Sequence, residues 1–175
     1  MMTLAETILM TQIGYENLLA KITEKEKEYD QVRDHRQVAF ELSGDGWHDN
    51  PEFNRMQQLE ANLNHTLKTL NDRLDVMKFI DIHDGMRNVQ QVEIGSIVKL
   101  RRYDLADDSE IEEIWEIRGF DETNIKLKHL AYNAPLAEKI MHLHVADIAE
   151  EVQIGSRHFD IEVVALFKTR LLADI

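Results

Sequence analysis

Asp45, Asp49 and Glu52 lie in one short run, Gly44-Asp45-Gly46-Trp47-His48-Asp49-Asn50-Pro51-Glu52-Phe53, with His48 among them. Carboxylate oxygens are the ligands that a hard divalent cation such as Mg2+ takes. An imidazole can hold a phosphate or move a proton near neutral pH. The same residue types also build plain solvated turns, because Gly, Asp and Asn tolerate or satisfy tight backbone conformations. Glu52 has a competing use as the negative charge in the first turn of a helix, so it ranks as a ligand below Asp45 and Asp49. Trp47 has no obvious core to enter in such a turn and reads as a contact residue.

The run is positioned by two long patterned segments. Before it, Tyr15, Ile22, Tyr29 and Arg36 recur every seven residues, interleaved with Leu18, Lys25, Val32 and Ala39. After it, Met56, Leu63, Leu70 and Met77 do the same, interleaved with Phe53, Leu67 and Leu74. Two heptad seams joined by a tight turn predict an antiparallel coiled-coil hairpin. The first helix is expected from about Thr11 to Leu42, where Ser43-Gly44 stops it. The second starts at Asn50 as N-cap with Pro51 at the first helical position and is expected to run to about Ile80. Arms of about 30 residues make a rod of roughly 45 Å at 1.5 Å per residue. Three carboxylates on the end of such a rod suggest an arm that carries charge, or a metal ligand, to a remote site.

Residues 1–80 are thus the hairpin, with its acidic tip at about 43–53. Residues 81–91 break the pattern (Asp84-Gly85, Arg87-Asn88) and read as a linker. Residues 92–175 change character. Val92 to Leu105, Glu112 to Phe120 and Phe159 to Phe167 are strand-like, Ile125 to Leu130 is a further candidate, and Ala134 to Leu143 is a short helix candidate. Ile154-Gly155-Ser156 reads as a hairpin turn. The fold class is α+β, a helical hairpin followed by a small strand-rich domain.

Composition narrows the function. The net charge of −13 argues against non-specific nucleic-acid binding, which depends on clustered Lys and Arg. Both regions share the acidity, at −5 over residues 1–80 and −8 over 81–175. The absence of cysteine excludes disulfides and thiolate metal sites. No apolar run has membrane-spanning length, and Met1 to Met10 lacks the basic leader and cleavage site of a signal peptide. A cytoplasmic protein with no membrane partner is the expectation.

The chain resembles the Gre family of bacterial transcript-cleavage factors from Met10 onward. The resemblance rests on Met10-Thr11 with Gly14, Leu18 and Leu19, on Gly44-Asp45, and on Asn50-Pro51-Glu52-Phe53. It continues through Val92-Glu93-Ile94-Gly95-Ser96-Ile97-Val98, Arg118-Gly119-Phe120-Asp121-Glu122 and Asn133-Ala134-Pro135-Leu136-Ala137. The resemblance implies a second domain similar to the FKBP-like fold that binds RNA polymerase, with Asn133, Pro135 and Leu136 in the contact. It also implies that the coiled coil enters the polymerase secondary channel, where two tip carboxylates help hold a Mg2+ shared with the polymerase. That ion serves cleavage of the 3′ end of backtracked RNA, so the chain would be no enzyme itself but a monomeric cofactor of one. RNA and DNA would be met only within the elongation complex.

The tip departs from the family pattern. Gre factors usually carry acids three residues apart, whereas here the segment between Asp45 and Asn50 is one residue longer. Counted from Asp45, the partner position is His48; counted back from Asn50, it is Asp49. Asp49 is preferred because a carboxylate is the better ligand for a hard cation. Glu138 also stands where the family commonly has Arg. The altered tip motivates an alternative, a Gre-like regulator that occupies the channel without promoting cleavage. A third reading is a structural hairpin that pairs with another hairpin. Prolyl isomerase activity is not expected, since fold does not carry activity and no aromatic group is assignable to a proline pocket.

Overall fold

The computed structural model describes residues 7–173, which form two compact units. The first, Tyr15–Lys78, is the hairpin. Helix α1 runs Gln12–Ser43 and helix α2 runs Pro51–Val76, joined by a 3-10 turn over Gly44–Asp49. The seam residues Leu18, Ile22, Ala39, Phe53, Met56 and Leu70 are buried. This is the inward-facing set that heptad spacing dictates.

The two charged seam positions resolve differently. Lys25 Nζ pairs along its own helix with Glu28 at 2.8 Å, leaving its stem against the seam. Arg36 crosses the hairpin, its Nε 2.6 Å from Glu60 Oε2, and the Tyr29 hydroxyl donates to the same carboxylate at 3.3 Å. Glu60 falls at the heptad place between Phe53 and Leu67, so a polar layer runs across the seam. One polar layer of this kind sets register, because any slip of the helices would bury an unpaired charge.

Helix α2 ends at Val76, four residues before the expected Ile80. Met77 adopts an extended backbone and opens strand β2 (Met77–Phe79), which pairs with β1 (Ile8–Met10). Neither strand was legible as one, since three residues cannot display a period.

The second unit comprises Leu9–Gly14 and residues 79–173. Its five-stranded sheet has the order β5-β4-β3-β7-β6, built from β3 (Ile97–Asp104), β4 (Glu110–Arg118), β5 (His129–Ala131), β6 (Ile148–Ile154) and β7 (Arg157–Phe167). β3 is antiparallel to both β4 and β7, and β4 runs parallel to β5. Helix α3 (Pro135–Ile140) lays Leu136, Ala137 and Ile140 onto Val98, Leu100, Trp115, Ile117 and Ile161. Gly155, at φ +64, turns β6 into β7 where the sequence signalled a hairpin. Residues 125–127 form a 3-10 turn, and only His129–Ala131 of that candidate segment becomes strand.

Residues 81–91, read as a linker, are attached to the sheet unit through Arg87. Its guanidinium donates to the Gly95 carbonyl and lies 3.4 Å from Glu116 Oε1. Glu116 is buried, and Arg118 (3.0 Å) and Arg170 (2.6 Å) also pair with it. Arg170 opens the short helix α4 (Arg170–Ala173). Burial by itself would raise the Glu116 pKa, but the hydrogen bonds and charges of Arg170, Arg118 and Arg87 outweigh it and hold the carboxyl below its ordinary 4.5. A carboxyl with a depressed folded pKa contributes stability above its unfolded pKa and loses it as pH falls through the folded value. Glu116→Gln is therefore expected to lower the urea midpoint at pH 7, and the gap to wild type is expected to close progressively below pH 4.5. A gap independent of pH would show that Glu116 acts through packing alone.

Among the described residues no helix is long and apolar enough to cross a membrane.

Candidate functional site at the hairpin tip

Asn50 organises the tip. Its side-chain oxygen accepts from the Glu52 N–H at 2.9 Å and the Phe53 N–H at 3.4 Å, which is the N-cap of α2. Its side-chain amide reaches back to α1, donating to the Ala39 carbonyl at 3.2 Å and to the Ser43 hydroxyl. The Ser43 hydroxyl donates in turn to the Ala39 carbonyl at 2.6 Å. One side chain thus starts one helix and ties it to the end of the other. Asn50→Ala is expected to cost about 1–2 kcal/mol of stability, in line with lost N-caps. Urea unfolding followed by circular dichroism at 222 nm measures it.

Gly44, at φ +52, supplies the left-handed residue that ends α1, a backbone state most residues adopt only at a cost. The chain then coils through Asp45, Gly46, Trp47, His48 and Asp49. Trp47 is not a free contact residue. It is half-buried, its ring centroid 5.8 Å from Phe40 and 5.0 Å from Phe53 in tilted and edge-on contacts. Arg36 stands over Phe53 at 5.9 Å. These rings extend the hydrophobic seam into the turn, and aromatic pairs of this geometry add to area burial. The sequence hid this because Phe40 lies outside the heptad positions, and only the coiled turn brings Trp47 back to it. His48 stacks on Trp47 with centroids 3.4 Å apart and stays exposed.

Of the tip carboxylates, Glu52 is occupied. Arg55 binds it through two nitrogens, at 2.9 and 3.1 Å. The hydrogen bond from Arg55 holds the Glu52 carboxyl below its usual range. Glu52 therefore serves α2, as its place in the first turn suggested. Asp45 and Asp49 are exposed, and among the described residues no hydrogen bond or ion pair engages either carboxylate. His48 turns its carbonyl inward to accept from Asn54 Nδ2 at 3.2 Å, which leaves its ring outward. Among the described residues, no three His, Asp or Glu side chains group as a complete metal site. The donor set at the tip is two hard carboxylates, which fits an ion that draws its remaining ligands from elsewhere.

The three residues expected to touch a partner in the second unit have distinct places. Asn133 is held by Asp121 in two hydrogen bonds, both 2.9 Å. Leu136 is buried in the core, and Pro135 is exposed at the start of α3. Asn133 and Leu136 thus present Pro135. A larger cleft of about 470 Å3 in the same unit, lined by Thr11, Gln12, Phe79, Asp81 and Arg118 among others, groups no carboxylates comparable to the tip.

Fold and site together define a class: an α+β chain whose helical hairpin ends in two unengaged carboxylates. No protein-family model matches the chain, and no curated protein matches it. Among solved structures it is similar to GreA factor homolog 1 (Gfh1) of Thermus thermophilus, at 17% identity over 93% of this chain and 99% of that one, with a TM-score of 0.43. Thermus aquaticus Gfh1 aligns at 19% identity over 93% and 99% of the two chains, with a TM-score of 0.42. The prokaryotic transcription elongation factor GreA/GreB from Nitrosomonas europaea aligns at 16% identity over 91% and 97%, with a TM-score of 0.36.

Proposed function

We propose that this chain is a Gre-type transcription elongation factor. It binds RNA polymerase, passes the hairpin into the secondary channel, and stimulates cleavage of backtracked RNA so that stalled complexes resume. The observation that carries the reading is the state of the tip: Asp45 and Asp49 are free, while Glu52 and the backbone around them are fully used. The motif resemblance supports the same partner. Pro135, presented by Asn133 and Leu136, forms part of the polymerase contact.

Asp45 and Asp49 would hold a Mg2+ shared with the polymerase. When bound, such an ion supplies a Lewis acid and lowers the pKa of bound water. The chain's own contribution is placement. Asn50, Ser43 and the Trp47 cluster keep the carboxylates on one rigid end, so little ordering entropy remains to be lost on docking. The net charge of −13 keeps the factor from holding RNA or DNA by itself, so both are met only inside the elongation complex.

The His48–Trp47 stack favours a second reading, a factor that fills the channel without promoting cleavage, because the ring pair adds bulk beside the carboxylates. Stalled elongation complexes carrying labelled RNA, incubated with Mg2+ and this protein, separate the two. Cleavage above that of polymerase alone supports the first reading. Cleavage equal to polymerase alone ends it, and cleavage below that level supports the second.

A further inference from the structure

We propose that the surface formed by the 3-10 turn Ile125–Leu127 and helix α4 is a docking site for an acidic amphipathic helix of a partner protein. Ile125, Leu127, Leu171 and Leu172 are 71, 53, 87 and 64% exposed, a concentration of bare aliphatic side chains on two short elements. The elements are joined: Arg170 donates to the Leu127 carbonyl at 3.3 Å while its Nε holds buried Glu116 at 2.6 Å. Exposed apolar groups gathered in this way and rimmed by charge mark interaction surfaces.

The charge selects the occupant. Residues 125–128 and 168–173 contain Lys126, Lys128, Lys168 and Arg170 and no acid, in a chain of net charge −13. Lys126, Lys128 and Lys168 are exposed, and among the described residues no carboxylate pairs with them. A partner that satisfies this surface brings aliphatic and acidic side chains together, which steers encounter and fixes register.

The neighbouring sheet edge excludes an added strand. On β5, the His129 N–H already donates to the Asn124 carbonyl at 2.9 Å and the Ala131 N–H to Thr123 Oγ1 at 3.0 Å. With those donors used, a partner cannot extend the sheet there through its backbone. It must bind through side chains, as a helix does when it lays one apolar face on a surface. The surface is separate from the hairpin tip and from Pro135, so the inference does not depend on the function proposed above.

The probe is a fluorescein-labelled helical peptide of about 18 residues, five turns long, with Leu at i, i+3, i+4 and i+7 and Glu elsewhere. A matched peptide carries Lys in place of Glu, and binding is read as anisotropy from about 50 mM salt upward. The Glu peptide is expected to bind saturably and to weaken as salt rises. Leu171→Ser combined with Leu172→Ser is expected to weaken it at least tenfold, a hot-spot-sized loss of about 1.4 kcal/mol. Both leucines are exposed, so thermal unfolding stays unchanged. Lys126→Glu combined with Lys168→Glu is expected to shift preference to the Lys peptide. The proposal is overturned if the Glu peptide does not bind, if either pair of changes leaves its affinity intact, or if the Lys peptide binds wild type as well. It is also overturned if these changes instead abolish binding to phosphatidylglycerol vesicles, to single-stranded RNA or to a second copy of the chain.

Discussion

Asp45→Ala is expected to abolish stimulated RNA cleavage, by about 100-fold or more, while polymerase affinity changes by no more than about twofold. The size follows from the role: even an outer partner of a metal ligand is worth about 10–100-fold in affinity or activity, and a direct ligand stands above that. The insensitivity of binding follows from the geometry. The carboxylate is exposed and unengaged, so removing it disturbs neither the Asn50 cap nor the Trp47 cluster. Asp49→Ala is expected to match it, whereas Glu52→Ala is expected to act weakly, because that carboxylate is bound to Arg55. An Asp49→Ala protein with full activity would transfer the second role to His48, and His48→Ala would then carry the loss. Equal activity in Asp45→Ala and wild type would remove the tip from the chemistry altogether. Cleavage rates and polymerase affinity, measured on the same protein preparations, decide among these outcomes.

Gly119→Ala is expected to be the most damaging small substitution in the second unit, costing about 3 kcal/mol or more, on the scale of a broken buried charge network. The buried Glu122 carboxylate accepts from the Thr11 N–H and from the Thr11 hydroxyl, both at 2.8 Å, and so caps the start of α1 from another segment. Two glycines make room for it. A Cβ on Gly119 would sit 2.1 Å from Glu122 Oε1 and 3.0 Å from the Met10 Cα, and one on Gly14 would sit 2.3 Å from the same Oε1. Neither side of Gly119 can yield easily: one neighbour is a carboxylate fixed by two hydrogen bonds, the other is backbone. Overpacking and loss of those bonds therefore fall together. Urea unfolding reads the cost, and a double-mutant cycle tests the cause. Once Glu122→Ala is made, adding Gly119→Ala should cost far less than it does in wild type. Full additivity would place the damage elsewhere.

Much of this molecule is legible from residue order because its largest elements are periodic. Heptads over Tyr15 to Ala39 and Phe53 to Met77 predict the hairpin, and the Asn50-Pro51-Glu52 start holds to the residue. Glu60 was equally visible at its heptad place as the answer to Arg36, yet it registers only when both seams are laid against each other. Strand β6 was harder, because Ile148–Ile154 is mostly exposed and shows no clean alternation. β1 and β2 are too short to show any pattern. Residues 81–91 look like a linker by composition, but Arg87 fixes them to Glu116 through a partner 29 positions away.

At the tip, the residue types and their order establish by themselves that carboxylates sit on a turn between two helices. Turn propensity, capping and helical period all act within a few residues. Which carboxylates are free, that Trp47 completes an aromatic cluster with Phe40 and Phe53, and that Glu122 caps a helix 111 residues upstream were decided only by tertiary structure. Those facts rest on contacts between segments, and the free energy of a contact belongs to the pair of surfaces that meet. No spacing within either segment contains it.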